Sequence, residues 1–267
     1  MPLLTIRRVD TILGLIRANL PTNVETDGDF EDWNVIAPAM LSIVADLFEG
    51  MMVCTPPRGR LRADVLARSL SEHAIAFAWL ASSEEARPGR IRSLLLDEFQ
   101  ERSRASNIME KEIAGRQAYR DLFDETKRFG GAVPKTVLDE PTRNRLKELE
   151  ADESIKPLPN AFDMAYAADT YWMPKLALVN RNPYALIYYM LFSASSFSTH
   201  PSISAVARMT SGSGAGQVTV GAPEGLGESD APYGPAYLAL VNTLTVASTA
   251  LGWPKPGPIL ALLLDGG

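Results

Sequence analysis

The chain has 267 residues, of which 46% are hydrophobic, so it is long enough to bury a sizeable core. Its formal net charge of -6 argues against a general nucleic-acid binder, although a local basic groove is compatible with that charge. The single cysteine, Cys54, excludes an intramolecular disulfide framework and fits the reducing cytoplasm, where we expect the protein to reside.

The first fifth of the chain predicts two helices. Residues 1–20 are typical of an amphipathic helix rather than a signal peptide, because charges interrupt the apolar residues and no small-residue cleavage site follows. A polar turn then leads to an apolar helix over roughly residues 31–53. Pro38 either kinks that second helix or marks its true first turn.

The stretch from Asp64 to Leu80 predicts the central helix of a bundle, with Asp64 as its N-cap. One apolar stripe runs along a single side of the helical wheel: Leu66, Leu70, Phe77 and Leu80. A second face is also partly apolar, through Val65, Ile75 and Trp79. Two apolar faces indicate a helix that packs against neighbours on two sides.

Arg68, Glu72 and His73 on this helix are the strongest chemical candidates. Arg68 and Glu72 are four residues apart and can pair along the helix, and a buried face would require each charge to have the other. A catalytic site is one interpretation; a structural ion pair beside a hydrogen-bonded histidine is the other, which we favour. The spacing from Arg68 to His73 also matches the arginine, four residues, histidine motif of HEPN-superfamily ribonucleases. In a straight helix these two side chains point about 140° apart, so they meet only if the helix bends or a second subunit completes the site.

A long charged helix is predicted to follow, from near Pro88 to roughly Phe129, with Gly130 and Gly131 at its end. Its interleaved arginines and glutamates are typical of a solvated face, and an arginine-rich groove for RNA is the alternative. Residues 133–159 are then predicted to form a mobile excursion that contains a short charged helix over about residues 142–150.

The next predicted helix covers roughly residues 161–179, with Pro174 as its kink or end, and Asn182 followed by Pro183 restarts the helix. Hydroxyls and an imidazole then recur at intervals of four, three and four residues: Tyr189, Ser193, Ser196 and His200. On an α-helix this spacing forms one line. That line is either a polar seam satisfied inside the bundle, which we favour, or the wall of a ligand-binding site.

Two stretches lack charged side chains, one between Arg181 and Arg208 and the other between Asp230 and Lys255, so each is long enough to be a membrane span. Their many hydroxyl residues are more typical of a buried bundle. A membrane-associated helical protein therefore remains only an alternative.

The segment over residues 210–235 is rich in glycine and predicts a small β-hairpin or flap. Its glycines lack the strand and helix of a dinucleotide site and the lysine of a phosphate-binding loop. A last apolar helix ends at Gly252, and the apolar part of the tail, residues 259–264, should dock on the protein or bind a partner. Together the patterns predict an all-α multi-helix bundle in a single domain over residues 1–252, with residues 253–267 as a C-terminal tail.

An arginine, a glutamate and a tryptophan on one helix, followed much later by tyrosine, serine and His-Pro-Ser, resemble the bacterial domain-of-unknown-function family numbered 5677. These residues carry the resemblance: Arg68, Glu72, Trp79, Tyr189, Ser193, His200, Pro201 and Ser202. The likeness covers roughly residues 64–251. It implies a mostly helical fold, similar to HEPN-like helical domains, and it suggests that the arginine and glutamate converge with Tyr189 and His200. It implies no reaction.

Two hypotheses for the function follow. The favoured one is a non-catalytic helical module that binds a protein or small-molecule partner and whose polar centre serves structure. The alternative is a metal-independent ribonuclease or toxin-like defence protein, in which His73 or His200 acts as acid or base and Arg68 stabilises the phosphorane charge. We expect neither a metal nor a cofactor, because two histidines and one cysteine lack ligand spacing. A homodimer remains open, and RNA is a less favoured partner.

Overall fold

A computed structural model of the protein describes residues 6–20, 31–54, 60–117, 120–121, 124, 140–176, 183–193, 210–213, 217–220 and 233–253. Most of these residues are helical, which confirms the predicted all-α class. The α-helices are α1 (Ile6–Asn19), α2 (Trp33–Met52), α3 (Arg60–Ala81), α4 (Arg87–Gly115), α5 (Glu140–Ala151), α6 (Ala161–Trp172), α7 (Pro183–Ile187) and α8 (Tyr233–Ala250). A π-helix, Tyr188–Ser193, continues directly from α7.

The chain divides into two compact units, one made of residues 1–84 and 159–267, and the other of residues 85–158. The first unit, which we call the main unit, contains α1 to α3 and α6 to α8. The second contains α4 and α5. The single domain over residues 1–252 stays a prediction.

Helix α2 begins where a side chain can satisfy its first amides. The carboxylate of Asp32 accepts the N–H of Asn34 at 2.8 Å, so Asp32 is the N-cap. Pro38 therefore lies inside the helix, and the alternative that it marks the first turn is wrong. Trp33 stacks on Phe77 of α3 with ring centroids 5.7 Å apart, which fixes the start of α2 against the middle of α3.

Helix α3 is the centre of the main unit, since it packs against α2, α6, α8 and the π-helix. The last third of the helix is sealed: every residue from Phe77 to Ala81 is buried. Both predicted apolar faces are used there, but Val65 near the helix start is half exposed. The N-cap prediction for Asp64 is wrong, because the helix begins four residues earlier at Arg60. Residues 60–63 are arginine, leucine, arginine and alanine, all strong helix formers that extend the helix backwards.

Two helix ends in the main unit follow from local chemistry. Asn160 caps α6 by accepting the N–H of Asp163 at 2.9 Å. The helix predicted to reach residue 179 ends instead at Trp172, because Pro174 follows and disfavours a helical residue before it. Pro183 opens α7 as predicted, and its predicted cap, Asn182, lies outside the described residues.

Helix α8 is buried on nearly all sides along most of its length. It ends before Gly252, whose φ of 65° is a conformation that glycine adopts readily. Strands β1 (Thr210–Ser213) and β2 (Gln217–Val220) pair antiparallel, with Thr210 opposite Val220. Residues 214–216, 221–232 and 254–267 lie outside the described part of the chain, and the wider flap over residues 210–235 stays a prediction.

The second unit is a helical hairpin. Ser93 near the start of α4 donates to the Lys156 carbonyl at 2.7 Å, and Gln100 further along donates to Glu150 at 3.3 Å. Higher positions on α4 therefore meet lower positions near α5, so the two helices run antiparallel. The predicted continuation of α4 to Phe129, with its glycine end, lies largely outside the described residues, and the mobility of residues 133–159 stays a prediction.

Candidate functional site

Arg68 and Glu72 form the ion pair that their spacing predicts. The Nε atom of Arg68 lies 3.2 Å from Oε1 of Glu72. The two side chains are 22% and 42% exposed, so water reaches both. The backbone carbonyl of Arg68 also accepts the Ser71 hydroxyl at 2.7 Å. A pair of this kind, partly solvated and within one helix, contributes only a few tenths of a kcal/mol, on the order of 0.3–0.5.

His73 is half-buried and is held by the turn that precedes it. Its Nδ1 atom lies 2.8 Å from the carbonyl oxygen of Ser69. Because a carbonyl can only accept, Nδ1 carries the proton of this hydrogen bond. In the neutral ring, Nε2 then holds the lone pair and is the atom able to accept a proton.

The Arg68-to-His73 motif does not close on itself within α3. The helix is continuous from Arg60 to Ala81, so a separation of five residues keeps the two side chains about 140° apart. Accordingly Arg68 pairs with Glu72, whereas His73 bonds back to Ser69. Within one chain, the arginine and the imidazole belong to different faces of the helix.

Tyr189 belongs to an exposed aromatic group on α6 and the π-helix. The rings of Phe162, Tyr188 and Tyr189 form a triangle with centroid separations of 5.5, 5.7 and 5.6 Å. Tyr166 lies one turn after Phe162 on α6. Tyr166 is 64% and Tyr189 59% exposed. We call these four residues the aromatic surface.

The predicted line of hydroxyls assumed an α-helix, whereas the segment from Tyr188 to Ser193 is a π-helix, in which each turn holds more residues. Ser193 ends this π-helix, and Ser196 and His200 lie outside the described residues. The π-helix does pack against α3. Convergence of the Arg68 pair with Tyr189 and His200 stays a prediction.

Asp169 on α6 is the polar residue that the sequence reasoning missed. Its carboxylate is buried and accepts the backbone N–H groups of Tyr184 and Ala185, each at 2.9 Å. These are the first amides of α7 after Pro183, so a residue of another helix serves as the N-terminal cap. Burial raises the pKa of Asp169, and the two amides oppose that rise. An aspartate inside the apolar run of α6 was the only signal in the sequence.

Two hydroxyls complete a buried polar cluster with this carboxylate. Tyr184 on α7 and Thr243 on α8 are buried, and neither hydroxyl has a hydrogen-bond partner among the described residues. Burial raises the pKa of Tyr184; the nearby Thr243 hydroxyl opposes the rise, and the charge of Asp169 adds to it. We call Asp169, Tyr184 and Thr243 the Asp169 cluster.

A small cleft opens between the α7 and π-helix segment and the first half of α8. It is lined by Pro183, Leu186, Ile187, Met190, Pro235, Leu238 and Asn242. All of these side chains except Asn242 are apolar. Met190 is 44% exposed, so the cleft communicates with solvent along that rim.

The described residues were also compared with two general classes of site. Among them, no three His, Cys, Asp or Glu side chains group closely enough to hold a metal ion. By length and composition alone, one helix of the described chain, α2, is apolar enough to cross a membrane, and 33% of its apolar window is buried.

Comparison with known proteins gives one match. A family model described as a family of unknown function (DUF5677) matches residues 60–217, which include α3, the aromatic surface and Asp169. No curated protein and no solved structure matches the chain.

Proposed function

The chain belongs to the family of unknown function DUF5677, and within that family we propose that it is a non-catalytic, cytoplasmic binding module. In this proposal, the aromatic surface contacts a protein partner, while the Arg68–Glu72 pair and the Asp169 cluster serve structure. The observation that carries the proposal is the exposure of Tyr166 and Tyr189 beside Phe162 and Tyr188.

The chemistry of the aromatic surface supports a protein partner. Tyrosine, phenylalanine and methionine are enriched at protein interfaces, where rigid rings bury much area at little conformational cost. The mutual ring contacts hold Tyr189 in place before any partner arrives. Met190, which is also exposed, extends the same apolar surface along the π-helix.

The polar groups at the centre have structural duties that account for them. Asp169 caps α7, and Trp172 on the same helix donates its indole N–H to the Ala78 carbonyl at 2.9 Å. The two contacts tie α6 to α7 and to α3. A binding surface on α6 and the π-helix would therefore rest on a rigid support.

Site-directed photocrosslinking tests the proposal. A photoreactive phenylalanine analogue replaces Tyr189 in one variant and Ile43 in another, since Ile43 is a 40% exposed residue on α2 of the same unit. We expect a discrete protein adduct from position 189 in the host cell and none from position 43. The adduct should disappear when Tyr166→Ala and Tyr188→Ala are added. Identical adducts at both positions, or none at position 189, would contradict the proposal.

A HEPN-like, metal-independent ribonuclease of the toxin or defence type is the second candidate. The observation in its favour is the His73 ring, whose Nδ1–H bond to Ser69 leaves Nε2 as the proton acceptor in the neutral form. Because Arg68 lies on another face of α3, this mechanism requires a homodimer in which the partner supplies the second group.

Cleavage assays in the presence of a chelator separate the two candidates. The ribonuclease hypothesis expects cleavage of single-stranded RNA by the wild-type chain and its loss in Arg68→Ala and His73→Ala, with His200→Ala testing the second histidine. Cleavage that persists in both histidine variants would exclude their acid and base roles. Unchanged RNA with the wild-type chain would leave the binding module alone.

A further inference from the structure

We propose that residues 259–264 of the chain dock in the cleft between α7 and α8 and cover it within the same molecule. This inference stands whether the protein is a binding module or a ribonuclease, since it concerns neither the aromatic surface nor His73. Residues 259–264 lie outside the described part of the chain. The argument rests on the cleft, on the composition of the segment and on its reach from the end of α8.

The cleft is suited to aliphatic side chains. Six of its seven lining residues are apolar, and Met190 opens it to solvent. Its volume is about 220 Å³, including space open to solvent. Small-molecule sites usually hold roughly 300–1,000 Å³, so this cleft fits one or two side chains of a peptide better than a cofactor.

Residues 259–264 supply side chains of that kind. The segment contains five large aliphatic residues in six positions: Ile259, Leu260, Leu262, Leu263 and Leu264. Burying each leucine or isoleucine is favourable by roughly 1.5–3 kcal/mol, so the segment gains considerably from covering an apolar surface. It also contains no charge that would oppose entry into the cleft.

The connection between α8 and this segment has the right length. From Trp253, the end of the described chain, Asn242 and Pro235 lie 11 and 18 positions back, or about 17 and 27 Å along a helix. The five-residue spacer over residues 254–258 contains three prolines, which favour an extended chain of about 16 Å. Residues 259–264 extend about 20 Å further. A chain that turns back at Gly252, where φ is 65°, therefore brings the segment alongside the cleft-lining part of α8.

Paramagnetic relaxation in the full-length chain tests the contact directly. A spin label is attached to Asp265→Cys in a Cys54→Ser background, and methyl resonances of isoleucine and leucine are observed. We expect Ile187 and Leu238 in the cleft to lose most of their intensity, while Ile43 on α2 keeps its intensity. Adding Leu262→Asp and Leu263→Asp to the labelled chain should restore the cleft signals, whereas Lys255→Glu in the spacer should not.

A mixing experiment identifies the occupant. Isotope-labelled chains without the spin label are mixed with spin-labelled chains that carry no isotope. Broadening of Ile187 in the mixture would mean that the segment enters a second copy, and broadening only after addition of lipid vesicles would mean that the segment prefers a membrane. Either result would overturn the intramolecular contact, and so would equal broadening of Ile43 and Ile187 or none at all.

Discussion

The first half of α3 and the buried layer between α6 and α8 both contain charged groups, but they hold them differently. On α3, Arg68 and Glu72 pair side by side on one helix, and water reaches both side chains. In the buried layer, Asp169 has no cation among its described hydrogen-bond partners and instead accepts two backbone amides of α7. The solvated pair has another way to satisfy its charges, and the buried carboxylate has none.

The difference determines which group the fold depends on. A solvated ion pair exchanges its partner for water at little cost. A buried carboxylate that caps two amides leaves three polar groups without partners if the contact breaks, and each buried group left unsatisfied costs about 1–3 kcal/mol. The Asp169 cluster therefore should govern stability, and the Arg68 pair should matter little to it.

Asp169→Ala should have the largest effect. Removal of the carboxylate leaves the N–H groups of Tyr184 and Ala185 without an acceptor, so we expect the free energy of unfolding to fall by about 2–5 kcal/mol. Urea unfolding followed by circular dichroism measures the change. Asp163→Asn, a similar change at an exposed site on the same helix, should cost much less. Equal losses in the two variants would contradict the capping role.

The pH dependence of stability should carry the signature of the same carboxylate. Because burial raises the pKa of Asp169 in the folded chain, the folded state binds this proton at a higher pH than the unfolded state does. Between that raised pKa and the unfolded value of about 3.9, acidification therefore favours the folded state at this site. We expect the stability of the wild type relative to Asp169→Asn to rise as the pH falls through this window. A relative stability that falls with acidification would show that the two amides outweigh burial.

The contrast between the two regions also explains what the sequence could predict. The all-α class, the core positions of α3 and the Arg68–Glu72 pair depend on spacings within one helix, which a sequence displays directly. The helix end near Pro174 and the start of α7 at Pro183 likewise depend on local backbone chemistry.

The Asp169 cap and the π-helix depend on contacts between segments distant in the chain. Asp169 precedes the amides that it caps by 15 and 16 positions, and no local pattern announces such a pairing. The π-helix follows immediately after this capped turn, where an α-helical periodicity was expected. The Asp64 prediction erred in the opposite way, since a good local N-cap was overridden by the helix formers that precede it.

The buried hydroxyls of the Asp169 cluster should have a smaller effect of opposite sign. Thr243→Val replaces an unpartnered hydroxyl with a methyl group of similar shape, so we expect the free energy of unfolding to rise by about 1 kcal/mol. Thermal and urea unfolding both measure the change. Thr249→Val, a partly exposed site near the end of the same helix, serves as the control. A loss of stability in Thr243→Val would mean that its hydroxyl has a partner in solution, such as a bound water.

The Arg68–Glu72 pair should show the smallest effect, and a double-mutant cycle isolates it. Arg68→Ala, Glu72→Ala and the double variant should give a coupling energy of about 0.3–0.5 kcal/mol, as expected for a solvated pair four residues apart. Since salt screens such pairs, the coupling should weaken in 1 M sodium chloride. A coupling of several kcal/mol that resists salt would instead indicate that the pair is sealed in the protein in solution. The polar centre would then extend from the Asp169 cluster to α3, and the distinction between the two regions would no longer hold.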